Sequence, residues 1–303
     1  MAYPVRASLR ELPAAPGVYR FRDDAGKVLY IGRARNLRRR VQSYWVNLGD
    51  RPHLQRMVRR IARVEGVWCD SEHEAAWLER NLLEQSKPRW NRTEGGAEVV
   101  GYIRLADGSK PGLRFEHTVS GGGPHFGPYL GGLRIRQAIS GLHRVLPLQY
   151  TVEGDGSAEE FGRLFGIGPA DRDALARTAI AVLQRDPAAL GALRDELVRR
   201  RDRAAGELRY EFAAKVQGEI EALEWICSEQ KVAWMEPRDA DVYGWADGVL
   251  VRFELRGGRM STWTQRAVGE ASARERVAAT PALWRPFALR NAELAARLLK
   301  VTS

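Results

Sequence analysis

Two short runs rich in β-branched and aromatic residues, 17–22 and 27–32, flank the polar stretch Asp23-Asp24-Ala25-Gly26. That pattern predicts a β-hairpin. Pairing Arg22 with Lys27 sets Phe21 opposite Val28, Tyr19 opposite Tyr30 and Gly17 opposite Gly32. Side chains alternate faces along a strand, so the two tyrosines share one face with the Phe21/Val28 pair. Directly opposed Cβ atoms lie roughly 5 Å apart, so one ligand could touch both phenols. An aromatic pair of this kind by itself reads as sheet packing. A glycine ending the second strand, Gly32, leaves room for another backbone or a ligand.

Helical spacing follows at once. Leu37, Val41 and Tyr44/Trp45 form an apolar stripe, and Asn36 can cap a helix running to about 45. Arg40 stands three residues after Leu37 and four before Tyr44, at the edge of the inward face, while Arg35, Arg38 and Arg39 point elsewhere. A second basic helix is expected over about 52–63 with Arg56, Arg59 and Arg60 in it, then a third strand over 64–69. Ser71-x-x-Glu74 is a capping box, and the helix it opens should end near Lys87, because Pro88 disfavours helix before it. Ala75, Leu78, Leu82 and Ser86 recur along that helix, with Glu79 on or beside the stripe. A carboxylate there is costly without a partner. Either it answers an arginine of the Arg-rich helix or it has chemical work to do. Glu72, Glu74 and Glu84 read as solvated.

Residues 95–125 are rich in glycine and polar residues, with short strands expected over 99–105 and 113–119. Phe126-Gly127-Pro128-Tyr129 reads as a turn into a helix over about 134–145, and 153–157 as a linker. From 158 to 231 the pattern is helical and highly charged, its last part striped by Leu208, Phe212, Val216, Ile220 and Leu223. That stripe suits a partner-binding hairpin or a helix packed on its own domain. Val249, Val251, Phe253 and Leu255 alternate before Gly257-Gly258, a hairpin signal, and a helix over 290–299 follows. The expected class is α+β: a small antiparallel three-stranded sheet flanked by helices (1–95), a connector with short strands and a helix (96–157), a helical segment (158–235) and a strand-rich C-terminal part (236–303).

Charge sharpens the picture. The 303 residues carry a net +10. Residues 1–92 hold 19 Lys+Arg against 10 Asp+Glu, so +9 of that excess sits in the first third. A localised excess points to a polyanion-binding surface there. Cys69 and Cys227 are the two cysteines, with no CxxC spacing, and the five histidines form no cluster. This argues against zinc, an iron–sulfur cluster or a disulfide framework and fits a reducing cytoplasm. No apolar run approaches membrane-spanning length, and the N-terminus lacks the apolar core of a signal peptide.

Leu12-Pro13-x-x-Pro16-Gly17-Val18-Tyr19, Val28-Leu29-Tyr30-Ile31-Gly32-Arg33-Ala34, Asn36-Leu37-x-x-Arg40-Val41-x-Ser43-Tyr44, Glu74-Ala75-Ala76-x-Leu78-Glu79-x-Asn81-Leu82 and Lys87-Pro88-Arg89-Trp90-Asn91 stand in order over about ninety residues. Together they resemble the GIY-YIG endonucleases of the UvrC N-terminal type. Phe126-Gly127-Pro128-Tyr129 resembles the connector of that family, and 207–223 its UVR motif, which binds UvrB. Arg33 replaces the family's usual lysine, and Gln217-Gly218 stands where an Arg-Asp pair is usual. With no match to an RNase H-like domain or a helix-hairpin-helix pair, the chain resembles the short UvrC-like homologues that keep only the first nuclease.

The resemblance implies hydrolysis of a phosphodiester in damaged or distorted double-stranded DNA, a single incision of the nucleotide-excision-repair kind, in the bacterial cytoplasm at the nucleoid. It implies Glu79 as ligand of one divalent metal, Mg²⁺ or Mn²⁺, which suit a lone carboxylate and keep most of their waters. Tyr30 or Tyr19 would orient or deprotonate the attacking water, with a phenol pKa lowered by Arg33, Arg40 or metal. Arg40 would also bind the transition state. Gly17, Gly32, Tyr44 and Asn91 would support the site. Arg35, Arg38, Arg39, Arg56, Arg59 and Arg60 would grip the DNA backbone. Leu208, Tyr210, Phe212, Ile220 and Leu223 would face UvrB. The competing reading is a non-catalytic DNA-binding or repair-partner recruiting module.

Overall fold

The computed structural model describes residues 9–46, 52–91, 98–108, 110–152 and 156–300. The boundary expected at 95 and most of the linker expected at 153–157 lie outside these residues. The chain divides into two compact units, one of residues 1–97 with 229–303 and one of 98–228. The C-terminal strand-rich segment therefore shares its unit with the N-terminal sheet.

In the first unit, β1 (Gly17–Arg22), β2 (Val28–Ala34) and β3 (Arg63–Trp68) form an antiparallel sheet in the order β2-β1-β3. As the central strand, β1 is buried on both faces: Tyr19 and Phe21 on one, Val18 and Arg20 on the other. The expected hairpin register is corrected by two residues. Tyr19 lies opposite Gly32 and Phe21 opposite Tyr30, with an irregularity at Arg22, which pairs with Val28. The cause is a longer turn. The Asp23 N–H donates to the Lys27 carbonyl (3.0 Å), the Lys27 N–H to Asp23 Oδ1 (2.8 Å), and Gly26 takes φ +76°. A two-residue slip preserves side-chain parity, so both tyrosines still share one face.

Helix α1 (Leu37–Val46) packs Leu37, Val41 and Tyr44 against that face. Asn36 caps it, its Oδ1 accepting from the Arg39 N–H at 2.9 Å. Helix α2 (Pro52–Val58) is shorter than the expected 52–63, because residues 60 and 61 turn out of it through i→i−3 bonds. Helix α3 (Glu72–Gln85) starts at Ser71, whose Oγ accepts from the Glu74 N–H at 2.9 Å. Glu74 is not solvated as expected. It is fully buried, its carboxylate accepting from the N–H groups of Asp70 (2.7 Å) and Lys231 (2.9 Å).

Both outer strands of this sheet are closed by an asparagine. Asn91 pairs with the N–H (3.0 Å) and carbonyl (2.7 Å) of Ile31 on β2. Asn291 does the same for Trp68 on β3, at 2.7 and 3.1 Å. Asn291 belongs to α10 (Arg285–Lys300), longer than the expected 290–299, which lays Leu294 and Leu298 into the core beside β3. A second sheet, β7 (Ala240–Ala246), β8 (Val249–Arg256) and β9 (Arg259–Ala267), runs in the order β7-β8-β9. Phe253 on β8 meets Phe287 on α10 at 5.0 Å between ring centres. Helix α9 (Glu270–Ala278) connects the sheet to α10. On the back of β1, Arg20 pairs with buried Glu65, and its guanidinium stacks 3.8 Å over Trp263 of β9.

The second unit holds β4 (Val100–Ala106), β5 (Gly112–Glu116) and β6 (His125–Leu130) in the order β5-β4-β6. Phe126–Tyr129, expected as a turn, is part of β6, an outer strand, where a proline is tolerated. Helices α4 (Gly132–Val145), α5 (Gly156–Phe165), α6 (Arg172–Leu183), α7 (Pro187–Gly206) and α8 (Tyr210–Cys227) complete it. Glu219 of α8 is buried against Arg144 of α4 with two bonds of 2.6 Å. No described helix is long and apolar enough to cross a membrane.

Candidate active site

The shared face of β1 and β2 holds three phenols. The ring centres of Tyr19, Tyr30 and Tyr44 form a triangle with sides of 6.1, 5.9 and 6.1 Å. Tyr19 is fully buried, and its hydroxyl shares a 2.8 Å hydrogen bond with that of Tyr44. Tyr30 is half-buried, so it alone of the first pair reaches toward solvent. Gly32 makes the cluster possible. A Cβ there would lie 2.5 Å from the Tyr19 hydroxyl oxygen and 2.7 Å from Tyr30 Cε1. Gly17 is equally confined, with a Cβ falling 2.1 Å from the Val67 carbonyl oxygen. Asn91, through its two bonds to Ile31, fixes the strand segment between Tyr30 and Gly32.

Glu79 projects from α3 to the same place. Its Oε1 accepts from the Arg33 N–H at 3.0 Å, and its Oε2 lies 3.4 Å from Arg33 Nε. The Glu79 side chain is 22% exposed. Arg33 of β2 is thus a partner of this carboxylate. Arg40 is exposed, with its guanidinium 5.3 Å from the Tyr44 ring centre.

The arginines alone do not lower the tyrosine pKa values. Burial, then the neighbouring phenols Tyr44 and Tyr30, hold the Tyr19 phenol well above its ordinary value. Tyr30 is also pushed up, by burial first, then Tyr44 and the Glu79 carboxylate. Arg40 pulls both the other way and is outweighed, because three crowded phenols resist ionising together.

The arginines expected on DNA are exposed, several with local partners. Arg35 pairs with Glu72 at 2.8 Å, Arg60 with Asp23 at 3.4 Å, and Arg38 Nε donates to the Leu12 carbonyl at 2.8 Å. Arg39, Arg56 and Arg59 are exposed on α1, α2 and the turn that follows α2. The stripe expected for a partner divides. Ile220 and Leu223 are buried in the core of the second unit, and Phe212 is packed against it. Leu208 lies outside α8 with φ +58°, exposed like Tyr210.

A metal fits this donor set. Among the described residues no three His, Cys, Asp or Glu side chains gather to hold an ion. A single, partly open carboxylate matches a hydrated Mg²⁺ or Mn²⁺ rather than a closed protein cage.

Buried tyrosines, a confined glycine and one carboxylate across from them define a recognised domain class. Residues 15–92 match the family model of the UvrC-like GIY-YIG domain, and this segment belongs to that family. Over a longer stretch the chain is similar to UvrABC system protein C of Rhodospirillum rubrum, 32% identical over 279 residues, which are 84% of this chain and 42% of that one. UvrABC system protein C of Pseudarthrobacter chlorophenolicus is 32% identical over 284 residues, 86% of this chain and 42% of that one. The chain therefore spans less than half the length of these relatives. The GIY-YIG N-terminal endonuclease domain of UvrC from Thermotoga maritima, solved bound to magnesium, is 31% identical. That comparison covers 30% of this chain and 99% of the Thermotoga one, with a TM-score of 0.28, too low to say anything of the fold.

Proposed function

We propose that the chain is a metal-dependent DNA endonuclease that makes a single incision in damaged or structurally distorted DNA, as in nucleotide excision repair. The observation that carries this reading is the placement of Glu79 on Arg33 beside the Tyr19, Tyr30 and Tyr44 cluster. Glu79 would hold one Mg²⁺ or Mn²⁺, which would supply Lewis-acid stabilisation of the phosphate and of the leaving 3′-oxygen. Tyr30, the more open phenol, orients the attacking water through its hydroxyl group. Tyr19 and Tyr44 hold Tyr30 in place from behind. Arg40 meets the non-bridging phosphate oxygens with its planar fork, and Arg33 adds positive charge beside them.

Arg35, Arg38, Arg39, Arg56, Arg59 and Arg60 hold the DNA backbone, a contact that carries no sequence information and weakens with salt. Selection then comes from the deformability of damaged DNA. Of the five residues expected to face UvrB, Leu208 and Tyr210 are the ones exposed to a partner. The chain acts in the bacterial cytoplasm, at the nucleoid. The test is nicking of a lesion-bearing duplex with Mg²⁺ or Mn²⁺. Nicking should vanish with chelator and in Glu79→Gln. Equal nicking by both proteins would remove Glu79 from the site.

A further inference from the structure

The helix that carries Glu79 is gripped from far along the chain. Residues 229–233 belong to the same compact unit and meet α3 at three levels. At its N-terminus, Ser71 Oγ donates to the Glu229 carbonyl, and Asp70 pairs with Lys231 and Arg290. Within the first turn, Glu74 Oε1 accepts from the Lys231 N–H at 2.9 Å. Two turns further, Asn81 Nδ2 donates to the Val232 carbonyl at 3.1 Å. Glu74 and Asn81 are 0% and 1% exposed, so these bonds have no water to replace them.

The gripping segment is itself anchored. Val232 and Ala233 are buried, the Met260 N–H donates to the Val232 carbonyl at 2.9 Å, and Ala233 bridges to Arg259 of β9. Asn81 stands two residues beyond Glu79 on α3. A slide or roll of α3 would break the bonds at Glu74 and Asn81 and carry the Glu79 carboxylate away from the Arg33 N–H.

We propose that residues 229–233 are a positioning strap: through Glu74 and Asn81 they set α3, and with it the Glu79 carboxylate, against β2, and so set the affinity of the site for a divalent cation. This rests on the reading of Glu79 as the metal ligand. Glu74 and Asn81 touch neither metal nor DNA; they are positioning residues. The strap also gives the C-terminal segment a role in the nuclease centre, although it lies outside residues 15–92.

The experiment is Mn²⁺ binding to the full chain, read by the loss of the free-ion paramagnetic resonance signal, with no DNA present. Glu79→Gln should abolish binding. Asn81→Leu and Glu74→Gln should weaken it by about tenfold, the scale on which outer partners tune a metal site, with the circular dichroism of the folded chain retained. Ser71→Ala is the milder variant should Asn81→Leu fail to fold, and weakens binding in the same direction. Asn291→Ala releases the C-terminal segment from β3 instead of α3; it should lower the melting temperature and leave Mn²⁺ affinity unchanged. Loss of binding in Glu79→Gln with wild-type binding in Asn81→Leu and Glu74→Gln overturns the strap and leaves the site standing. Equal weakening by Asn291→Ala also overturns it, since the effect would then be general softening. Wild-type binding by Glu79→Gln removes the ligand assignment, and the strap with it.

Discussion

Replacing Gly32 by alanine should damage both the stability and the chemistry of the first unit. The added Cβ would lie 2.5 Å from the Tyr19 hydroxyl oxygen, 2.7 Å from Tyr19 Cζ and 2.7 Å from Tyr30 Cε1. Ordinary contacts are about 3.5–4.0 Å, so the rings must move by about 1 Å. Tyr19 has nowhere to go. Its ring is fully buried, 5.2 Å from Phe21 and 5.9 Å from Tyr44 between centres, and its hydroxyl is tied to Tyr44 at 2.8 Å. Overpacking of this kind costs about 1–3 kcal/mol, and a broken buried hydroxyl pair adds a further 1–3 kcal/mol. Urea denaturation should therefore show a loss of roughly 2–6 kcal/mol. Nicking should fall by about 100-fold, the penalty of a 1 Å displacement at a reacting centre. Gly26→Ala is the control. Gly26 has φ +76° but nothing within 4 Å of a Cβ, so it should lose only about 1–2 kcal/mol of backbone strain and keep its activity. A Gly32→Ala protein no less stable than Gly26→Ala, and as active as wild type, would refute the packing argument.

Three further outcomes are expected. Asn91→Ala removes both bonds to Ile31 and should cost about 1–3 kcal/mol, with faster hydrogen exchange at the Ile31 amide; unchanged exchange there would contradict its role as a strand partner. Tyr30→Phe should lower nicking by about 100-fold with Mn²⁺ binding intact, the scale of a lost positioning contact at a reacting centre; a Tyr30→Phe enzyme as fast as wild type would transfer that role elsewhere. Because burial raises the Tyr19 pKa, the folded chain keeps this phenol neutral while the unfolded chain ionises it near 10.0, so its contribution is complete below that pH and declines above it. Urea midpoints measured from pH 8 to about 11 should fall more steeply for wild type than for Tyr19→Phe, and parallel curves would oppose this.

The sequence made the site more legible than its surroundings. Tyr19 and Tyr30 fall on one face despite a wrong register, because a two-residue slip leaves alternation intact. Asn36, Ser71 and Glu79 are local features, set by capping chemistry and helical spacing, and α1 and α3 place them where those rules require. Glu74 misleads because its burial comes from Lys231, more than 150 positions later. Phe126–Tyr129 misleads because glycine and proline mark turns locally, while β4 recruits them into a strand. The phenol pKa values follow from how tightly three rings crowd, which no spacing reveals. Ile220 and Leu223 could serve a partner or a core from pattern alone, and packing within the second unit decided it.

The central claim is that Glu79 is the metal-binding carboxylate of a DNA-incising centre. Its most direct measurement is incision of a defined lesion duplex, mapped at nucleotide resolution across a Mg²⁺ titration, for wild type and Glu79→Gln. The account predicts one metal-dependent break in one strand for wild type and none for Glu79→Gln at any Mg²⁺ concentration. The same break in both proteins, or a wild-type break that persists in chelator, would contradict it.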